Sequence, residues 1–136
     1  MSTKSTDRSS APCPCDSGKR YGECCAPLHA GELAGTAEAL MRSRYSAYVV
    51  RLSDYLLSSW HPKTRPESMA FDRSDTTRWI SLDVKQHVQT GPDAATVEFV
   101  ACWREGGHRA QSLHEISRFQ RVNGRWLYVN GEILPS

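Results

Sequence analysis

The chain lacks a long apolar run, a block of like charge and a glycine-rich phosphate loop, and each absence removes a class of function. Its apolar stretches fall far short of the ~20 residues that span a bilayer, so no membrane insertion is expected. The first twelve residues, MSTKSTDRSSAP, carry no apolar core of the kind a secretory signal needs. The expectation is a soluble, cytoplasmic protein. Its 17 basic and 15 acidic residues leave a net charge of +2, spread without clusters. No nucleic-acid tail is present, and specific DNA binding is not expected. No nucleophile stands at a recognisable spacing from a base, and no open metal triad appears. The composition of a disordered chain is also missing: 39% of residues are hydrophobic and 24% charged, which predicts a packed core. A length of 136 residues allows one main core with a small appendage.

What is present divides the chain into three parts. Residues 1–11 are rich in Ser and Thr and read as a flexible tail. Residues 12–30 hold Cys, Gly, Pro and Lys with no apolar periodicity, so something other than core burial has to shape them. From residue 31 the chain has the pattern of a folded domain. Ala37, Leu40, Met41, Tyr45, Tyr48, Val49 and Leu52 recur at helical spacing, with Thr36 as N-cap and Glu38 in the first turn. A second helix is expected over 53–60, ended by Pro62. Four strands follow at 79–90, 95–104, 109–121 and 125–131, separated by TGPD, EGGH and Asn123-Gly124. In the first strand, Ile80, Leu82, Val84 and Val88 are expected to share one face. Helices followed by an antiparallel meander predict an α+β fold with the helices on one face of a curved sheet.

Four of the five cysteines, Cys13, Cys15, Cys24 and Cys25, stand as C-x-C, eight residues, then C-C. In a reducing compartment such grouping favours metal over structural disulfides. Four thiolates complete the tetrahedral shell of a structural zinc ion at ~2.3 Å per bond and leave no position for catalytic water. Iron accepts the same donors. Pro14 stiffens the first pair, and Gly18 and Gly22 permit tight reversals. Lys19 and Arg20 would offset the negative charge of the centre. A redox role for Cys13 and Cys15 is the alternative, although the group exceeds what a dithiol needs. Cys102 reads as a sheet residue.

The stretch CPCDSGKRYGECC, residues 13–25, closely resembles the SEC-C motif, the zinc-binding module also found in the tail of the SecA translocation ATPase. The motif often has Gly where this chain has Asp16, which is not a ligand position. AEALMRSRY at 37–45, WHP at 60–62, VEFVA at 97–101, LHEISRF at 113–119 and GRWLY at 124–128 make the chain similar to the bacterial YchJ family. That resemblance implies an NTF2-like cone over residues 31–136, preceded by a zinc knuckle at 12–30. SEC-C modules resemble adaptors for proteins and ribosomes, which implies a protein or ribosomal partner contacted through Lys19, Arg20 and Tyr21. NTF2-like sheets often pair through their exposed face, which implies a homodimer. The fold also hosts isomerases, dehydratases and hydrolases, so an enzyme is the second reading.

Any chemistry outside the knuckle points to Glu115. Residues two apart on a strand share a side, so Leu113 and Phe119 bring Glu115 and Ser117 onto the apolar face. A buried carboxylate needs a partner, or it marks a functional site. Arg44 and Tyr45 on the first helix are candidates for that partner, and Trp103 for an aromatic wall. A structural Glu115–Arg44 pair, a ligand pocket and a catalytic acid all remain open here. His61 is either a helix-end cap or a proton carrier at a pocket rim. His114 should face away from Glu115. His87 and His108 read as surface residues.

Overall fold

Three turns divide the C-terminal half into four strands, β1 (Thr77–Gly91), β2 (Ala94–Glu105), β3 (Gln111–Val122) and β4 (Arg125–Ile133). They pair as an antiparallel meander in the order β1-β2-β3-β4. Asn123 and Gly124 adopt φ of 53° and 79°, the left-handed pair that a two-residue hairpin requires. The structure is a computed structural model describing residues 8–69, 71 and 76–135, with Arg8 described by its backbone alone. Residues 1–7 of the expected tail lie outside it.

Period-two burial on β2 sets the concave face: Val97, Phe99 and Ala101 are buried, opposite Ser117, Glu115 and Leu113 of β3. On β1 the expected alternation breaks. Trp79 pairs with Trp103 and Ser81 with Cys102, so Ile80 is an extra residue in a β-bulge. The bulge turns Trp79 inward against Tyr45 and Tyr48, with ring centroids 5.5 and 6.0 Å apart, and leaves Ile80 50% exposed.

Helix α2 (Ala37–Val50) packs on the sheet against β1, β2 and β4. The Thr36 side chain accepts from the Ala39 N–H at 3.0 Å, and Arg51 closes the helix in the left-handed region at φ 63°. Helix α3 (Ser53–Ser58) is shorter than 53–60 because the next peptides bond to β4 instead of continuing the helix. Tyr128 N–H donates to Ser59 O at 2.9 Å and His61 N–H to Tyr128 O at 2.7 Å. Among the described residues no helix is long and apolar enough to cross a membrane.

The cysteine segment folds as a 3-10 turn (Tyr21–Glu23) and a short helix α1 (Cys25–His29) on the flank of α2. It does not stand apart from the core. Cys13, Cys15 and Cys25 belong to the same buried cluster as Leu40, Met41, Tyr45, Val97 and Phe99. Leu40, 4% exposed, sits within that cluster. Leu40→Ala should lower stability by about 2–5 kcal/mol, read as a reduced denaturant midpoint at unchanged slope.

Candidate metal centre

The reversal between Cys15 and Cys24 depends on two left-handed residues, Asp16 at φ 62° and Gly18 at φ 89°. Aspartate tolerates that region because its short polar side chain bonds locally. The Asp16 carboxylate accepts from the Leu82 N–H at 2.9 Å, which fastens the loop to β1. Asp16 therefore supplies both the turn and an anchor where the SEC-C pattern often has glycine. Cys13 N–H donates to Lys19 O at 2.9 Å and closes the loop.

All four sulfurs lie within 4.8 Å of one another. Cys15 and Cys24 are 3.6 Å apart, and Cys24 and Cys25 are 3.9 Å apart. A tetrahedron of ~2.3 Å metal–sulfur bonds has edges of about 3.8 Å, so the donor set fits an ion at its centre. The cysteines are not disulfide-linked, and Cys13, Cys15 and Cys25 are buried while Cys24 is partly exposed. Hydrogen bonds from Cys15 and Cys25 hold the Cys13 thiol far below its ordinary range. The same contacts with Cys13 push Cys15 and Cys25 up. Four sulfurs this close stabilise one thiolate between them, and a cation is what lets the rest ionise.

Outer contacts come largely from α2. Ser46 Oγ lies 3.5 Å from Cys13 Sγ and 3.3 Å from Cys25 Sγ, and Ser17 Oγ lies 3.1 Å from Cys24 Sγ. Arg42 donates to Cys15 O at 2.7 Å and is itself held by Glu38 at 3.0 Å. Lys19 and Arg20, expected to offset the charge, are exposed, and Arg42 is the cation bonded to the loop. His29 fastens the other side. Its Nδ1 lies 2.6 Å from the Tyr21 hydroxyl and its Nε2 2.8 Å from Ser43 O, so Nε2 carries the proton and Tyr21 donates. Burial holds the His29 imidazole below its ordinary value. Ser46, Arg42 and His29 were not anticipated from sequence. For Arg42 and Ser46 the signal was the small and polar residues at 42, 43 and 46 beside the apolar face of the helix, and for His29 there was none.

A second feature lies between α2 and the concave sheet, a cavity of about 190 Å³. Glu115, Arg44 and Tyr45 all line it, whereas Trp103 and His61 do not. Trp103 packs behind Trp79 at 5.9 Å. His61 is 8% exposed, and its Nδ1 accepts from Lys63 N–H at 3.1 Å at the end of α3. His114 is on the outer face, 2.6 Å from Glu98. Glu115 forms no ion pair with Arg44: it accepts from Ser117 Oγ at 2.6 Å, and Arg44 donates to Leu56 O and Ser59 Oγ at 2.8 and 2.6 Å.

Fold and site together define a four-cysteine SEC-C knuckle joined to an NTF2-like domain. The SEC-C motif matches residues 10–27, and the family described as YchJ, middle NTF2-like domain, matches residues 36–131. A UPF0225 protein of Ralstonia nicotianae is 52% identical, covering 90% of this chain and 92% of that one. One of Xanthomonas campestris pv. campestris is 50% identical over 88% and 92%. A solution structure of a SEC-C motif containing protein from Rhodopseudomonas palustris superposes with a TM-score of 0.77 at 36% identity, covering 90% of this chain and 98% of that one. The chain belongs to the YchJ-like UPF0225 family.

Two outcomes are expected. Loading one divalent ion per chain should release protons and raise a single unfolding transition of the whole chain, because the sulfurs share its core. Cys25→Ser should abolish that uptake and Cys102→Ser should leave the stoichiometry unchanged, as read by metal analysis and calorimetry. For His29 the fold favours the neutral ring, so its contribution is intact above the ordinary imidazole value and is lost as pH falls through the depressed one. His29→Gln should cost about 1–3 kcal/mol at neutral pH. The gap from the parent protein should narrow on acidification in denaturation series.

Proposed function

We propose that the protein is a cytoplasmic zinc-built binding module. The knuckle docks on a protein or ribosomal partner, and the NTF2-like domain serves as scaffold or small-ligand receptor. One observation carries this reading: the four sulfurs form a closed donor set, three of them buried, which leaves a bound ion no open position for substrate. The ion's contribution is then to shape a surface. Lys19 and Arg20 are exposed on the loop whose Lys19 carbonyl is tied to Cys13, so their backbone is fixed relative to the centre. Tyr21 contributes differently, since its hydroxyl turns inward to His29. Zinc is the ion favoured for a closed shell of four thiolates, and a reducing cytoplasm keeps those thiols available.

The Glu115 cavity, with Ser117 in hydrogen-bond reach, favours a second reading as an isomerase, dehydratase or hydrolase. Turnover abolished by Glu115→Gln would support that reading over a receptor. For docking, the combined Lys19→Glu and Arg20→Glu variant should keep its zinc content and unfolding temperature yet lose about tenfold or more in affinity for ribosomes or a captured partner, measured by co-sedimentation. Unchanged capture would overturn the docking assignment.

A further inference from the structure

The cone cavity holds two opposite charges, Arg44 and Glu115, that form no direct ion pair. Its walls are apolar and aromatic, with Tyr45, Tyr48, Trp79, Phe99 and Phe119 around a space of about 190 Å³. At ~30 Å³ per water that is room for about six waters, less than drug-sized pockets offer. Arg44 is 6% exposed, and among the described residues no carboxylate forms an ion pair with it. Its guanidinium is held by two neutral acceptors, Leu56 O and Ser59 Oγ, and by the faces of Trp60 and Tyr128 at 4.9 and 4.6 Å. An arginine so placed presents its positive charge to the cavity, and Glu115 acts on it through space without touching it.

Glu115, on β3, is the negative counterpart lining the same cavity. Ser117 binds one of its oxygens, and the backbone of β4 is thinned to admit the carboxylate. A Cβ added at Gly131 would lie 2.7 Å from Glu115 Cδ and closer still to its oxygen. Gly131 has no positive φ, so glycine is used there for space alone.

We propose that this cavity binds a small zwitterion with an apolar body, its carboxylate on Arg44, its ammonium on Glu115 and its body among the aromatic rings. A simple anion would meet Glu115, and a simple cation would meet Arg44. A zwitterion of amino-acid size satisfies both charges at once, and its side chain fills the apolar space beside them. The assignment rests on the receptor half of the reading above and supplies its ligand class.

The test uses the zinc-loaded full chain with L-phenylalanine and L-leucine as probes. Two half-molecules serve as comparisons: 3-phenylpropanoate, which lacks the ammonium, and 2-phenylethylamine, which lacks the carboxylate. Amide NMR titration should show saturable shifts around Glu115, Ser117 and Tyr48 with at least one amino acid at millimolar concentration. Each half-molecule should bind about tenfold more weakly than the parent amino acid. Glu115→Gln should weaken the amino acid about tenfold and remove the handicap of 3-phenylpropanoate. Gly131→Ala, which displaces the same carboxylate, should act in the same direction. Equal binding of a half-molecule, no saturable shift with either amino acid, or unchanged affinity in both variants would each overturn the proposal. The Lys19→Glu and Arg20→Glu variant should bind the probes like the parent protein. Lost partner capture with probe binding absent leaves docking standing and sinks the ligand assignment, while the reverse pattern sinks docking alone.

Discussion

The structure depends on one contact, the packing of the four-sulfur cluster, three of its cysteines buried, against the flank of helix α2. Residues 12–30 have too few apolar side chains to fold alone, so their shape comes from closing around a single point and pressing that point onto a helix already fixed by the sheet. Ser46 on that flank touches Cys13 and Cys25 through its hydroxyl, and Ser43 receives His29 through its carbonyl. Helix α2 thus faces two ways: Leu40, Met41 and Tyr45 join the core, while Arg42, Ser43 and Ser46 accept the knuckle. A bulkier side chain at 46 would hold the sulfurs away from the helix.

This division of labour explains the polarity inside α2. Ser43 and Ser46 are fully buried, yet each has partners: Ser43 Oγ lies 2.6 Å from the Tyr55 hydroxyl and donates to Leu40 O. Satisfied in this way, buried hydroxyls cost little and fix the helix rotation. Arg44 does the same toward α3 through Leu56 and Ser59. Ser43 and Arg44 therefore both tie α2 to the α3 segment, while Tyr45 packs on Trp79 of β1.

Much of this was legible in the sequence. The strand boundaries followed from alternation and from the Asn123-Gly124 turn, and the four cysteines stood out by spacing alone. Glu115 was legible because period two carries it to the same side as Leu113 and Phe119. What could not be read were features set by register. The bulge at Ile80 depends on how β1 meets β2, and the early end of α3 depends on β4 offering hydrogen bonds to Ser59 and His61. The closeness of the knuckle to α2 was hidden for a related reason: two serines and an arginine on a helix look like a solvated face until a partner lies against them. The absence of a Glu115–Arg44 pair was likewise invisible, since only coordinates separate sharing a cavity from touching.

The pairing of residues 59–61 with Tyr128 has a consequence for how this molecule coexists with other chains in a crowded cell. A meander exposes two edges with unpaired peptide groups, a ready template for strand addition. One edge is partly covered here, by the Ser59 and His61 backbone and by the Thr64 hydroxyl on Val129 O at 2.6 Å. The other is interrupted by three register shifts along β1 and carries the exposed charged side chains of Asp83 and Lys85. Among the described residues neither edge offers a long, flat ladder, so the sheet resists intermolecular growth.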